Sequence, residues 1–193
     1  MNLIDYKTAL KTLKSGLPII FPTDTLPAIG CLPEFSNIIY DFKKRDRDKP
    51  LILMGSENKQ LIDYVHESAK KDFKNIASKY WPGALTMVVP ASEKQTSILT
   101  SNDLTIGLRI PNSYMAQSLM RETGPLLTSS ANISGFTGSI TAEGIALDFP
   151  SVEILGPIPW EKSSGKASTI ISWKKIGDWR LIREGEVSVK ELH

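Results

Sequence analysis

Residues 19–31, "IIFPTDTLPAIGC", set the terms for the whole chain. Ile19, Ile20 and Phe21 form an apolar run of strand character, which Pro22-Thr23-Asp24-Thr25 breaks before the chain turns through Pro27 and Gly30. A buried strand that runs out into hydroxyls and a carboxylate has the makings of the rim of a site. The competing reading is an ordinary strand-to-loop exit, and the segments on either side have to decide between them.

Upstream, Leu3, Ala9, Leu10 and Leu13 recur at helical spacing and Gly16 supplies a stop, which predicts an amphipathic helix over 3–15. Downstream, helices are predicted over 35–44, 57–66, 68–80, 113–122 and 141–148. Strands are predicted over 50–55, 84–90 and 104–111, at the start of "PLLTSSANISG" (125–135), and near 152–155, 168–172 and 179–183. A polar loop, "ASEKQTSILTSND" (91–103), separates two of the strands, and "PIPWEKSSGKAS" (157–168) is the most loop-like segment. Strands alternating with helices argue for one α/β domain over residues 1–193, with strand directions left open.

The chain has 193 residues, 41% hydrophobic and 23% charged, the balance of a globular domain with a substantial core. A formal charge of +2 does not by itself announce a nucleic-acid binder, although a local basic patch would. Cys31 is the single cysteine and His66 and His193 the only histidines, so an intramolecular disulfide, a cysteine zinc site and a His-rich metal site are excluded. No apolar run approaches the roughly 18 residues of a membrane span, and the N-terminus lacks a signal-peptide core, so a cytoplasmic protein is expected.

Three clusters carry candidate chemistry. "KKRDRDKP" (43–50) holds five basic and two acidic residues before a buried-looking strand. It reads either as a solvated helix end or as a phosphate clamp of arginine forks and lysine point charges. "TSSANISG" (128–135) is either a polar turn or a strand exit whose hydroxyls and amide meet phosphate or ribose oxygens. Arg109 lies inside the alternating strand "IGLRIP" and requires an anionic partner, either a structural carboxylate or that of a ligand. No GxxxxGK[ST] or GxGxxG occurs. His66 reads as a surface residue, Cys31 as a small hydrophobe, and Trp81 as core packing at a helix end.

Taken in order, "FPTDTLPAIGC", "FKKRDRDKPLILM", "YWPGALTMVV", "IGLRIPNS", "LLTSSANISG" and "ASTIISW…LIREGEV" resemble the YrdC family of threonylcarbamoyl-AMP synthases, over about residues 17–187. Lys43-x-Arg45 with Ser130-x-Asn132 matches the family's signature tetrad. The length resembles the stand-alone form without the C-terminal domain of two-domain relatives. The resemblance implies a twisted mixed sheet flanked by helices, with a concave, positively charged cavity. It implies that L-threonine, bicarbonate and ATP give threonylcarbamoyl-AMP and pyrophosphate, for formation of N6-threonylcarbamoyladenosine (t6A) in tRNA. By position, Thr25, Arg109, Ser130 and Ser168 would hold threonine, Arg109 by pairing with its carboxylate. Lys43, Arg45 and Lys49 would line the triphosphate, and Thr105, Asn132 and Arg183 the nucleotide. Mg²⁺ would arrive on the ATP phosphates. The implied partners are the t6A transferase machinery as acceptor of the adenylate, and direct contact with tRNA or double-stranded RNA.

Three positions depart from the family pattern. Thr25-Leu26-Pro27-Ala28 replaces the usual Thr-Val-Tyr-Gly, a version that resembles cyanobacterial and plastid members. Met54 stands where many members carry histidine, and Lys49 where two-domain forms carry asparagine. A second reading from the same superfamily is a non-catalytic RNA-binding paralogue like YciO. That branch typically lacks Ser-Ala-Asn-x-Ser-Gly, which this chain has at 130–135.

Overall fold

A computed structural model of the protein describes residues 1–98 and 103–188. The chain runs β1 (Asn2–Ile4), α1 (Tyr6–Lys14), β2 (Ile19–Phe21), β3 (Ala28–Cys31), α2 (Asn37–Lys43), β4 (Ile52–Met54), α3 (Asn58–Leu61) and α4 (Lys70–Tyr80). It continues through β5 (Leu85–Pro90), β6 (Thr105–Arg109), α5 (Tyr114–Thr123), β7 (Leu126–Ser130), α6 (Ala142–Asp148), β8 (Glu153–Leu155), β9 (Thr169–Lys175) and β10 (Asp178–Arg183). These strands form one sheet in the order β1-β8-β2-β3-β7-β4-β6-β5-β9-β10. It is mixed: β4 runs parallel to β6 and β5 to β9, while β3, β7 and β4 are mutually antiparallel neighbours.

Three local expectations are corrected. Residues 2–4 begin the chain as a strand parallel to β8, and Asp5 then caps α1 by accepting Thr8 N at 2.8 Å. Leu3 keeps helical spacing with the residues after it, but its partners lie about 150 residues away. The turn expected through Pro27 and Gly30 is instead a strand: β3 lies fully buried between β2 and β7. The helix expected over 57–66 shrinks to α3 and a 3-10 turn, after which Val65 bridges to Ala91. His66 therefore lies outside any α-helix and caps a short turn through Ser68 N. Part of the loop expected at 91–103 is the 3-10 turn Glu93–Ile98, and its residues 99–102 lie outside the described residues.

The period-2 alternation of the strands divides the sheet into two unlike faces. Ile106, Leu108, Leu127, Leu53, Leu85, Met87 and Val89 point into a core shared with Phe73 and Ala77 of α4, Ile39 of α2, and Ile145 of α6. Trp81 packs edge-on against Phe73 at 5.4 Å and donates its indole N–H to Leu85 O, which closes α4 onto the sheet. On the opposite face α1 and α5 cover only one end, burying Ala9, Leu13, Leu119 and Met120 against Ile19, Phe21, Met54 and Leu126. The remainder of that face is left concave and forms the floor of the site. No helix among the described residues is long and apolar enough to cross a membrane.

Candidate active site

The uncovered face of the sheet reads Thr128 and Ser130 on β7, Ile52 and Met54 on β4, and Thr105, Gly107 and Arg109 on β6. Alternation that buries Ile106 and Leu108 on one side thus delivers a hydroxyl, a bare backbone and a guanidinium to the other. Together with residues from β9, β10 and the loops these line a cavity of about 580 Å³. Thr25, Arg45, Lys49, Thr105, Arg109, Ser130, Asn132, Ser168 and Arg183 all line it. Lys43 lies beneath the wall, behind Ser130 and Asn132.

Lys43 reaches that place because of how its helix ends. The α2 C-terminus closes with Arg45 N on Tyr40 O at 2.9 Å and Lys44 N on Asp41 O at 3.3 Å, which reverses the chain. Lys44 occupies the left-handed region at φ 50°, where a residue with a Cβ costs about 1–2 kcal/mol. The reversal sends Lys43 inward and Arg45 to the cavity. Arg47, also from the basic run, stays outside with Asp41, as a solvated helix end would have it.

Lys43 is 1% exposed, and its ammonium donates to Ser130 O and to Asn132 Oδ1. Among the described residues no carboxylate pairs with it. Burial, with the nearby Arg45 charge adding to it, pushes its amine down to about 7. Arg45 is held by backbone carbonyls, Nε on Lys49 O (3.0 Å) and Nη2 on Pro50 O (3.2 Å). Arg183 is held likewise on Ser168 O at 2.9 Å. Burial lowers the pKa of both guanidinium groups. Three cations held by neutral carbonyls make an anion site without its anion.

Asn132 spends its carboxamide inside the protein. Oδ1 accepts Ser130 Oγ at 2.5 Å as well as Lys43, and Nδ2 donates to Ile133 O and Phe136 O. Ser168 Oγ shares a 2.9 Å hydrogen bond with Thr86 Oγ1, and Thr105 Oγ1 donates to Asp103 at 2.7 Å.

Arg109 is 3% exposed and carries three contacts. Nε donates to Gly83 O (3.0 Å), Nη1 to Thr25 Oγ1 (2.8 Å), and Nη2 pairs with Asp24 Oδ1 at 2.6 Å. Of the two partners open to it, the structural carboxylate is the one observed. Asp24, without a role in the sequence, is the counter-charge that lets an arginine sit in this strand. Thr23 Oγ1 accepts Thr25 N at 3.1 Å and donates to Leu26 O at 2.7 Å, so the Thr-Asp-Thr run is one braced turn.

Sequence reasoning passed over Thr86, Gly107 and Phe136, all of which line the cavity. Gly107 had a readable signal: a glycine inside a strand pattern marks close approach by another group. Cys31 is buried, with its thiol pushed up to about 12, and His66 lies outside the cavity lining.

A family model covering Sua5, YciO and YrdC proteins, described as "Telomere recombination", matches residues 11–185. The chain belongs to the Sua5/YciO/YrdC family. Among relatives of this family, the threonylcarbamoyl-AMP synthase of Buchnera aphidicola subsp. Baizongia pistaciae is 30% identical over 183 residues, 91% of this chain and 98% of that protein. The structure of P. abyssi Sua5 complexed with L-threonine superposes with a TM-score of 0.88 at 27% identity, covering 100% of this chain and 60% of that one. E. coli YciO shares the fold, with a TM-score of 0.80 at 23% identity over 98% of this chain and 97% of its own. The twisted mixed α/β sheet expected for the family is therefore the fold observed.

Proposed function

We propose that this chain is a threonylcarbamoyl-AMP synthase, joining L-threonine, bicarbonate and ATP into threonylcarbamoyl-AMP with release of pyrophosphate and water. The observation that carries this reading is the placement of two chemically different anion sites on one sheet face. One is the carbonyl-held group of Lys43, Arg45 and Arg183. The other is Arg109, already braced by Thr25 and Asp24. The named relatives and the solved threonine complex support the same reading.

A guanidinium has five N–H groups, so the three contacts of Arg109 leave two for an amino-acid carboxylate. Thr25 and Ser130 would orient the same ligand, with Ser168 behind. Threonine's amine, once deprotonated, adds to the carbon of bicarbonate with loss of water, and the carbamate oxygen attacks the α-phosphorus of ATP. The bond to the pyrophosphate leaving group then breaks. A closed cationic cavity stabilises the developing phosphoryl charge and shields a carbamate that decomposes readily in water. Lys43, Arg45 and Lys49 take the triphosphate, while Thr105, Asn132 and Arg183 flank the nucleotide. Mg²⁺ travels on the phosphate oxygens. The product feeds t6A formation in tRNA through the transferase machinery.

Purified protein with threonine, bicarbonate and Mg-ATP is expected to release pyrophosphate and the adenylate. No product dependent on both threonine and bicarbonate overturns the reading. RNA affinity without ATP affinity would instead favour a YciO-like RNA-binding protein. Serine in place of threonine is expected to lower kcat/KM by about 5- to 150-fold, the worth of one methyl group in a fitted pocket.

A further inference from the structure

Residues 131–138 form a loop held in place by its own hydrogen bonds. Asn132 Nδ2 donates to the carbonyls of Ile133 (3.0 Å) and Phe136 (2.8 Å). Phe136 N closes a turn on Ile133 O at 3.1 Å, with Gly135 at φ +87°, and Ser134 N reaches Lys43 O at 3.3 Å. A Cβ on Gly138 would come within 2.7 Å of Asn132 Cβ, so the chain folds back against that residue.

The largest side chain on this ordered loop gains little from it. Phe136 is 72% exposed and lines the cavity. Ile182 of β10, 55% exposed and next to Arg183, also lines it. An aromatic ring held in water returns none of the entropy spent on ordering its loop, unless a ligand covers it. The chemistry is graded along one chain of contacts. Lys43 at the buried end bonds Asn132, and Asn132 bonds the Phe136 carbonyl at the exposed end. A ligand matched to that gradient is anionic inside and flat and apolar at the mouth.

We infer that Phe136 is the platform on which the nucleobase of ATP stacks, while the polyphosphate runs inward past Asn132 toward Lys43 and Arg45. This rests on the synthase reading and deepens it. Asn132 acts here as a positioning residue, since its carboxamide is already committed to Ser130, Lys43 and the loop carbonyls. Stacking accepts any base, so this contact sets nucleotide affinity more than base identity.

The test is calorimetric binding of Mg-ATP and of inorganic tripolyphosphate to the full chain, its Phe136→Ala variant and its Phe136→Trp variant. Phe136→Ala is expected to weaken ATP about tenfold and leave tripolyphosphate within twofold, and Phe136→Trp to restore ATP affinity. Equal ATP affinity in wild type and Phe136→Ala overturns the inference while leaving the synthase reading intact. Parallel loss of ATP and tripolyphosphate overturns it as well, because Phe136 would then only shape the loop. Loss of single-stranded RNA binding with ATP binding unchanged assigns the ring to RNA and also overturns it. A wild-type chain that binds neither ATP nor tripolyphosphate brings down the synthase reading and this inference together.

Discussion

Lys43→Met is expected to make the free protein more stable while removing nucleotide binding. The side chain is 1% exposed and has no carboxylate partner among the described residues, so its charged form carries an unreturned desolvation cost. Methionine fills similar space and orphans no acceptor. Ser130 O keeps Asn132 N at 2.9 Å, and Asn132 Oδ1 keeps Ser130 Oγ. A gain of about 1–2 kcal/mol is expected, and about 2–4 °C in Tm per kcal/mol for a chain of this size. The pH dependence has a fixed sign. Between about 7, the folded value, and the ordinary lysine value of 10.5, the unfolded chain binds a proton that the folded chain does not. Wild-type stability attributable to this group therefore rises with pH across that window. The advantage of Lys43→Met is full below pH 7 and vanishes near pH 10.5. ATP binding above pH 7 should take up a proton, seen as buffer-dependent binding heats. ATP affinity is expected to fall at least 100-fold in the variant, and Tm and affinity falling together would contradict the assignment. A cation that costs stability in the free protein is what an anion site looks like before its anion arrives.

Asp24→Ala is expected to have the opposite character, costing stability and function together. It leaves the 3%-exposed guanidinium of Arg109 without its counter-charge, and breaking one side of a buried pair costs about 3 kcal/mol. A Tm lowered by about 6–12 °C is expected. Threonine affinity should weaken at least tenfold, because the guanidinium plane is fixed by Asp24, Thr25 and Gly83 together. The double variant Asp24→Ala with Arg109→Met should recover much of the stability and none of the threonine binding. Equal destabilisation of the single and double variants would mean that the pair is not what holds the Thr-Asp-Thr turn.

The site was legible where a local pattern coincided with chemistry. Lys43, Arg45, Ser130, Asn132 and Arg109 stood out as cations or small polar groups beside apolar runs, and all but Lys43 line the cavity. Lys43 illustrates the limit: its sequence context allowed a solvated cation, yet the reversal at Lys44 turns it into the wall. Asp24 shows the same limit from the other side. Nothing near it in the chain calls for a carboxylate, because its partner is 85 residues away. Phe136 read as part of a polar turn, and its position follows from the folding of Gly138 back onto Asn132.

The fold divides in the same way. The apolar periods over α1, α4 and α5 and the alternation in β5 and β6 determined those elements, since each buries its stripe whatever the partner. Residues 2–4 and 28–31 were decided only by the sheet. A strand of three or four residues has little preference of its own and is fixed by the neighbours that complete its hydrogen bonds, β8 for the first, β2 and β7 for the second. Thus in "IIFPTDTLPAIGC" the sequence by itself determined the buried strand and its polar exit. That "PAIGC" returns as a central strand, and that Asp24 neutralises Arg109, was decided by tertiary structure. Both depend on long-range hydrogen bonds and charge pairing that no local window contains.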